Sequence, residues 1–349
     1  MNTYRTAIIG YGRMAHGHAK AYQEVGLPLV AVADISEEAL ARFRDQFGQR
    51  QMYTDYRQML DEVHPDIISV VTHDQLHCPM VVDAAERGVK GIVCEKPMAM
   101  TLKEADRMLT ACRLSGTQLT ISHQRYYTPQ YAQARELLSS GAVGAVRSAE
   151  AYLLPSCIHT DGTHTIHMLL SLLSNPRVLH LLAQVDGHSG HVYYGHRVED
   201  AGVAFIAFEQ GIHAHLNWGL ASHQPRTLLH PSPDFRYHGF IIHGETGRLE
   251  LDGDGQVDDR PILRIVRGTE IEAVNLRPSK SSIRLEIEDL VSSIETGAPH
   301  PLSGQSGRDV LEVIMGIYES ARRRRVIQFP LEVEENPFLA MCEAGDFPP

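Results

Sequence analysis

The chain has 349 residues, 43% of them hydrophobic and 21% charged, so it can bury the cores of two globular domains. Its 43 acidic and 32 basic residues give a formal net charge of −11. That balance disfavours a nucleic-acid partner, because binding to phosphates needs clustered Lys and Arg. Five cysteines without CxxC spacing, and the lack of a signal-peptide or membrane-span pattern, favour a cytoplasmic protein that does not enter a membrane.

The first 120 residues or so alternate strand and helix patterns, which predicts βαβ units built on a parallel sheet. The strand patterns are short and apolar on both faces, as buried parallel strands are. A capping box from Thr101 to Glu104 marks the start of one of the intervening helices. The predicted strands are Thr6–Ile9, Leu29–Ala33, Asp66–Thr72, Gly91–Cys94 and Gln118–Ser122.

The segment Gly10–Ala15 reads GxGxxA, directly after the first predicted strand and at the start of a helix. Gly10 permits a tight turn, Gly12 lets the backbone approach a pyrophosphate, and Ala15 allows close contact between helix and strand. The helix N-terminus offers amides and partial positive charge to the anion. We therefore expect this loop, including Arg13 and Met14, to bind a dinucleotide.

Asp34 ends the second predicted strand, 24 residues after Gly10. An acidic side chain at this place accepts hydrogen bonds from the ribose hydroxyls and repels a 2′-phosphate. The sequence therefore predicts NAD as the cofactor. Arg42 and Arg44 on the next helix leave NADP as the less favoured alternative.

Beyond residue 123 the pattern changes to a helix from Thr128–Pro129 to about Ser140, followed mainly by strands. Several strands alternate in hydrophobicity, which indicates that one face is exposed or covered by a partner. Hairpin turns are predicted at 245–247 and 253–255. The predicted strands are Val146–Leu153, Val178–Val185, Gly202–Phe208, His213–Trp218, Gly239–His243, Arg248–Leu251 and Leu263–Arg267, and the predicted helices are Thr163–Leu173, Ile283–Thr296 and Gly307–Arg323.

Ile92–Pro97 contains Glu-Lys-Pro after the Rossmann-like half, and this motif resembles the EKP signature of the Gfo/Idh/MocA oxidoreductases. Thr72–His77 resembles the family's TPNxxH loop, with His73 in place of Pro and Asp74 in place of Asn. Further similar segments follow in the same order along residues 3–332. They are Gln124–Arg125 where the family has Asn-Arg, Gly162–His164 as its GxH segment, Gly244–Gly247 as its GxxG hairpin, and Ser303–Ser320 as its closing helix.

The resemblance implies an α/β protein with a Rossmann domain in residues 1–123 and a substrate-binding and oligomerisation domain in residues 124–332. The second domain would be an α/β domain with a large, open, mostly antiparallel sheet, through which family members commonly form dimers or tetramers. We expect a homodimer or homotetramer here. Residues 333–349, rich in Pro and Glu, are predicted to form a surface tail.

The resemblance also supplies candidate site residues. It adds Thr72, His77, Glu95, Lys96 and Gln124 to the predicted cofactor-binding residues. Lys96 is also a candidate catalytic residue, because Pro97 restricts its backbone to an extended conformation and ligands bind at strand carboxyl ends in such sheets.

His164 matches the position of the family's catalytic base, and hydride transfer from an alcohol needs such a base. The family commonly has Asp four residues before this His, where this chain has Thr160 followed by Asp161. We expect Asp161 to serve in its place, with Thr160 or a water as the alternatives. Arg125 and Tyr126 are predicted to contact the substrate together with Lys96, Asp161 and His164, and three weaker candidates are His196, Arg197 and His223.

A metal site is not predicted. His164 and His167 are spaced to share a helix face, with His159 nearby, but no HExxH motif or carboxylate at ligand spacing accompanies them.

The predicted function is an NAD-dependent dehydrogenase that acts on a sugar, cyclitol or related polyol. One alternative is an NAD-dependent glycoside-processing enzyme that oxidises its substrate transiently. Another is a non-catalytic NAD-binding regulator, since a fold alone does not establish catalysis.

Overall fold

A computed structural model describes residues 3–154, 156–193, 195–219, 237–253 and 261–347. The first part of the chain alternates strands and helices, as the sequence predicts. Its elements are β1 (Thr6–Ile9), α1 (Ala15–Val25), β2 (Leu29–Ala33), α2 (Glu37–Phe47), β3 (Gln51–Tyr53), α3 (Tyr56–Val63), β4 (Ile67–Val70), α4 (His77–Glu86), β5 (Gly91–Cys94), α5 (Leu102–Ser115) and β6 (Gln118–Ile121).

The second part is rich in strands, also as predicted. Its elements among the described residues are α6 (Pro129–Ser139), β7 (Val146–Leu154), α7 (Gly162–Leu172), β8 (Val178–Asp186), β9 (Val192–Tyr193), β10 (His196–Arg197), β11 (Ala201–Phe208), β12 (His213–Gly219), β13 (Tyr237–Gly244), β14 (Arg248–Leu251), β15 (Leu263–Arg267), β16 (Glu270–Ala273), α8 (Ser282–Thr296), α9 (Gly304–Arg323), β17 (Ile327–Gln328) and α10 (Pro337–Ala344).

The first sheet has the strand order β3-β2-β1-β4-β5-β6, with all neighbouring strands parallel. This is the order of a Rossmann fold, and the predicted fold class of the N-terminal part is confirmed. The strand order reverses between the neighbouring strands β1 and β4. Open parallel sheets bind their ligands at such a point, outside the carboxyl ends of the strands.

The compact unit around this sheet includes the residues up to Gln124 and also Lys280–Asp309. The sequence predicts that this second segment belongs to the C-terminal domain, and the structure corrects that prediction. Its placement follows from packing, because α8 lies against α1 and buries Ile283, Ile287 and Leu290 in the apolar core that also contains Tyr22.

The second unit contains Arg125–Ser279 and the residues from Val310 onward. Its sheet has the order β16-β15-β14-β13-β7-β12-β11-β8-β17 within the described residues. The pairs are antiparallel except for β7 with β12, which confirms the predicted mostly antiparallel sheet. Helix α7 packs against β7, and all of its residues are buried.

Burial alternates along β8, β11 and β12, so these strands place one face in the core and the other outside it. The outer face carries large apolar side chains that are exposed by 49% at Leu182, 52% at Val203 and 38% at Phe205. This agrees with the alternation read from the sequence.

The C-terminal segment departs from the predicted surface tail. Asn336 caps α10 by accepting hydrogen bonds from the amides of Phe338 and Leu339, and Pro337 occupies the first turn. Phe338 is buried against Tyr318, with ring centroids 5.2 Å apart, and Phe347 is buried beside it. The apolar residues of this segment therefore join the core of the second unit.

The predicted turn at Glu245–Gly247 joins β13 to β14 as a hairpin. Of the other predicted turn, only Gly253 belongs to the described residues. No helix of the described chain combines the length and the apolar character needed to cross a lipid bilayer.

Candidate functional site

The turn after β1 is shaped by its two glycines. Gly10 has φ +87°, and a Cβ at this residue would lie 2.4 Å from the carbonyl oxygen of Val71, so only glycine fits. A Cβ at Gly12, in contrast, would meet nothing within 4 Å. The backbone at Gly12 is therefore open to a close approach by a ligand, at the start of α1. Arg13 is exposed and Met14 is half-buried in this turn.

Asp34 follows β2 at the same edge of the sheet. Its carboxylate accepts hydrogen bonds from the backbone N–H of Tyr11 at 2.6 Å and of Ser36 at 2.8 Å, one on each oxygen. These contacts orient the carboxylate and leave a lone pair on each oxygen for further donors. The adjacent Ile35 is 91% exposed and offers an apolar surface beside this acidic group, a feature that the sequence alone does not indicate.

Glu95 and Lys96 follow β5, next to the end of β4. Glu95 is 5% exposed, and its Oε2 accepts the backbone N–H of Lys96 at 3.2 Å. Burial by itself would raise the pKa of Glu95, but the hydrogen bond with His18 and the charge of Lys96 outweigh burial and lower that pKa. Glu95 is therefore an ionised carboxylate directly beside the half-buried Lys96.

His77, at the start of α4, has no exposed surface. Its Nδ1 lies 2.8 Å from the carbonyl oxygen of Pro97, and its Nε2 lies 3.1 Å from that of Thr72. One of these nitrogens donates to its carbonyl oxygen, so the buried ring packs between the loop after β4 and the loop after β5. A role for His77 in cofactor binding stays a prediction. Gln124 lies after β6, and its Oε1 is buried with no hydrogen-bond partner in the described structure, which leaves that acceptor for a ligand.

In the first unit, the structure thus brings the predicted cofactor residues to one edge of the parallel sheet. The turn at Gly10, Asp34, Thr72 and Lys96 follow β1, β2, β4 and β5 respectively. These strands are neighbours, so their carboxyl ends lie side by side.

In the second unit, two predicted residues lie at the start of α7. Asp161 precedes the first residue of the helix, is 7% exposed, and accepts a hydrogen bond from Ser156 Oγ at 2.9 Å. Thr160, the alternative to Asp161, has its hydroxyl oxygen 2.8 Å from Cys157 Sγ. His164 follows in the first turn of the helix and is 3% exposed, with its ring 6.3 Å from that of His238.

His167 lies one turn further along α7. Burial, assisted by the nearby charge of Arg135, lowers the pKa of His167 to about 3. Its ring meets Tyr126 edge-on at 5.9 Å, and Tyr126 in turn lies under the Arg135 guanidinium at 3.5 Å. His167 is therefore a neutral, buried ring that packs behind Tyr126.

The weaker substrate candidates have structural contacts of their own. Arg197 donates to the carbonyl oxygen of Gly187 at 2.8 Å and reaches that of Phe347 at 3.4 Å. His196 lies 5.6 Å from the ring of His159. Of the main substrate candidates, Arg125 and Tyr126 are both half-buried. His223 lies outside the described residues.

Glu199 supports the loop that leads into α7, and no pattern in the sequence points to it. It has no exposed surface and accepts hydrogen bonds from Trp218 Nε1 at 3.0 Å, from the Tyr318 hydroxyl at 2.7 Å and from the backbone N–H of Ile158. Burial raises the pKa of Glu199. Its acidic side chain gave no sequence signal, because its three partners come from distant parts of the chain.

The two units have the features of a nucleotide-dependent oxidoreductase, and comparison with known proteins identifies the family. Residues 4–123 match the Gfo/Idh/MocA oxidoreductase family over its NAD-binding Rossmann fold, and residues 158–329 match the family's C-terminal alpha/beta domain. The chain therefore belongs to this family, as the sequence resemblance predicted. It is an oxidoreductase with an NAD-binding Rossmann domain.

Individual relatives are more distant. The chain is 22% identical to D-apiose dehydrogenase of Paraburkholderia graminis, over 98% of this chain and 94% of that enzyme. It is 32% identical to D-glucoside 3-dehydrogenase of Escherichia coli over 44% of each chain. Other curated relatives align over 40% to 55% of their own length.

A solved oxidoreductase from Agrobacterium radiobacter, in complex with NAD+, L-tartaric acid and magnesium, shares the fold. It superposes with a TM-score of 0.80 at 19% identity, over 94% of this chain and 98% of that one.

The contacts of Glu199 predict how two substitutions change stability. Glu199→Leu removes the acceptor for three buried donors. We expect it to lower the free energy of unfolding by roughly 3 kcal/mol or more, because leaving each buried donor unpaired costs about 1–3 kcal/mol. In Glu199→Gln, the amide oxygen can accept from Trp218 and Ile158, and the amide nitrogen can donate to the Tyr318 hydroxyl.

The raised pKa of Glu199 predicts how the stability of the control variant, Glu199→Gln, compares with that of wild type. A carboxyl whose folded pKa is raised contributes most stability at acid pH and loses it as pH rises, whereas Gln does not ionise. Glu199→Gln should therefore be at least as stable as wild type at neutral pH. Urea unfolding followed by Trp218 fluorescence measures both variants. Equal stability of the Leu and Gln variants would contradict this role for Glu199.

Proposed function

We propose that this chain is an NAD-dependent dehydrogenase that transfers a hydride between the nicotinamide and a hydroxyl or ketone carbon of a sugar, cyclitol or related polyol. The observation that carries the proposal is the arrangement of the first unit. Lys96, a group able to act on a hydroxyl, leaves the sheet at the same edge as the turn at Gly10 and the carboxylate of Asp34. The names of the curated relatives, D-apiose dehydrogenase and D-glucoside 3-dehydrogenase, support the substrate class.

The residues of this edge fit NAD. The open backbone at Gly12 and the N-terminus of α1 suit a pyrophosphate. The oriented carboxylate of Asp34 suits the two ribose hydroxyls and disfavours a 2′-phosphate, while the exposed Ile35 offers an apolar surface to the adenine. NAD, when bound, supplies the hydride acceptor for oxidation and the hydride donor for reduction.

The protein's own residues would handle the substrate hydroxyl and its proton. We assign His164 as the base that takes this proton during oxidation, because its imidazole can exchange a proton near neutral pH. Asp161, at the start of the same helix, would stabilise the charge that develops on the imidazole. Lys96 would stabilise the oxyanion character of the reacting hydroxyl through its ammonium. Arg125 and Tyr126 are proposed as substrate contacts.

We also propose that the chain forms a homodimer or homotetramer through the outer face of its large sheet. An exposed apolar face of this kind, here with Leu182, Val203 and Phe205, is typical of an interaction surface.

A cytoplasmic location is proposed as well, because a reducing compartment keeps cysteines as thiols. The free thiols of this chain are Cys78, Cys94, Cys112, Cys157 and Cys342.

The function is tested by incubating the protein with NAD and a panel of sugars, cyclitols and polyols while the absorbance of NADH is recorded. A dehydrogenase accumulates NADH with at least one member of the panel. Cleavage of a glycoside without net NADH would instead indicate transient oxidation, and NAD binding without either reaction would indicate a regulator. Both of these outcomes would overturn the proposal.

The cofactor preference depends on Asp34. We expect NAD to bind more tightly than NADP in calorimetry, because the carboxylate accepts from ribose hydroxyls and repels a 2′-phosphate. Asp34→Ala should weaken NAD binding and strengthen NADP binding relative to wild type. Tighter binding of NADP by the wild-type protein would refute this assignment.

Lys96 should matter mainly for turnover, and NAD should still bind when its ammonium is removed. Lys96→Met keeps much of the apolar stem but removes the ammonium, so we expect turnover to be abolished while NAD still binds. Steady-state kinetics and calorimetry measure the two effects separately. Lys103→Met, on the exposed surface of α5, is the matched control and should keep wild-type kcat. A Lys96→Met variant that retains most of its kcat would remove Lys96 from the mechanism.

Protonation of His164 should make kcat/KM for oxidation fall at acid pH, which gives the pH profile an acid limb. A base must be neutral to accept a proton, so oxidation should slow as acid protonates the imidazole, and ketone reduction should show the opposite preference. The pH profile of kcat/KM for oxidation is compared between wild type and His164→Asn. We expect the variant to be much slower and to lack the limb. If the limb and most of the rate persist, the base is a different group.

A further inference from the structure

Beneath Glu95 and Lys96 lies a chain of buried polar side chains that the proposed reaction does not use directly. His18 on α1 has no exposed surface, and its Nε2 lies 3.0 Å from Glu95 Oε1. Its Nδ1 lies 3.1 Å from Ser69 Oγ on β4, and Ser69 Oγ lies 2.7 Å from the hydroxyl of Tyr22. Ser69 and Tyr22 are also fully buried. The network therefore joins α1 and β4 to the residues that follow β5.

One assignment of protons satisfies every donor in this chain. The Tyr22 hydroxyl donates to Ser69 Oγ, the Ser69 hydroxyl donates to His18 Nδ1, and His18 Nε2–H donates to Glu95 Oε1. The second carboxylate oxygen of Glu95 accepts the backbone N–H of Lys96 at 3.2 Å. Glu95 is ionised in this scheme, in keeping with its lowered pKa.

The contacts fix the backbone on both sides of Lys96. On one side, His18 holds Glu95, whose carboxylate holds the Lys96 amide. On the other side, the His77 ring lies 2.8 Å from the carbonyl oxygen of Pro97. The ammonium of lysine sits on a flexible four-carbon stem, so an anchored backbone limits the positions that it can reach.

We propose that His18 is a positioning residue for hydride transfer: through Glu95 it holds the backbone of Lys96 and thereby sets where the Lys96 ammonium lies. This inference rests on the proposed role of Lys96. A histidine that only stabilised the core would affect stability without a specific effect on Lys96, and this difference makes the inference testable.

The first test observes Lys96 directly, without cofactor or substrate. The chain has only five lysines, Lys20, Lys90, Lys96, Lys103 and Lys280, so reductive methylation with ¹³C-formaldehyde gives few NMR signals. The Lys96 signal is assigned by its loss in Lys96→Arg. Lys20 lies on α1 two residues after His18 and is mostly exposed, so its signal reports any disturbance of the helix itself.

Two substitutions of His18 separate the hydrogen bond from the filling of space. His18→Leu removes the donor to Glu95, whereas His18→Gln can present an amide N–H close to the position of Nε2. We expect His18→Leu to shift the Lys96 signal and its titration while the Lys20 signal stays in place, and His18→Gln to remain close to wild type. If His18→Leu does not fold, His18→Met takes its place, because its thioether fills similar space and carries no N–H to donate to Glu95.

The second test is kinetic. His18→Leu should lower kcat by about 10- to 100-fold, the size of effect expected when a reacting group is misplaced by about 1 Å, with little change in NAD affinity or substrate KM. His18→Gln should recover most of the loss. His300→Gln alters another buried histidine of the same unit, which contacts the Glu286 carbonyl oxygen at 3.1 Å, and should keep wild-type kcat.

An unchanged Lys96 signal in His18→Leu, or in His18→Met where that variant replaces it, would overturn the inference. So would equal kinetic losses in the Leu and Gln variants of His18. Retention of kcat by Lys96→Met is a different result: it would remove the proposed role of Lys96, whereas the NMR signal would still report whether His18 positions its side chain.

Discussion

The close approach of Gly10 to the end of β4 is the contact on which the proposed cofactor site, at the carboxyl edge of the parallel sheet, depends. With φ +87° and the Val71 carbonyl oxygen 2.4 Å from where a Cβ would stand, the turn admits no side chain. This approach lets β1 run directly into α1 beside the crossover point of the sheet. Asp34 and Lys96 then follow neighbouring strands at the same edge, so one backbone constraint aligns groups that lie 62 residues apart in the chain.

Buried acids organise both units in the same physical way. A carboxylate placed in the interior is costly unless donors surround it. Glu95 meets this requirement with His18 and the Lys96 amide, and Glu199 meets it with Trp218, Tyr318 and Ile158. In each unit the satisfied acid ties a loop that carries a proposed catalytic residue to rigid elements behind it, which is how a protein keeps a reacting group in position.

The sequence predicted the features that local patterns encode, such as the Rossmann strands, the glycine turn and the start of α7. It missed β3, whose three residues are too few to show a period, and α10, whose Pro- and Glu-rich composition conceals the cap at Asn336. It also missed His18 and Glu199, because their hydrogen bonds join residues that only tertiary packing brings together. The burial of His77 has the same origin, since its partners belong to two separate loops.

In the proposed reaction, a hydride passes from a substrate carbon to NAD. A polyol or sugar that is oxidised in the panel is prepared with deuterium on its reacting carbon, and the reduced cofactor is analysed by mass spectrometry. We expect a reduced cofactor that carries one deuterium from the substrate. Reduced cofactor without deuterium, or no reduced cofactor from any member of the panel, would contradict it.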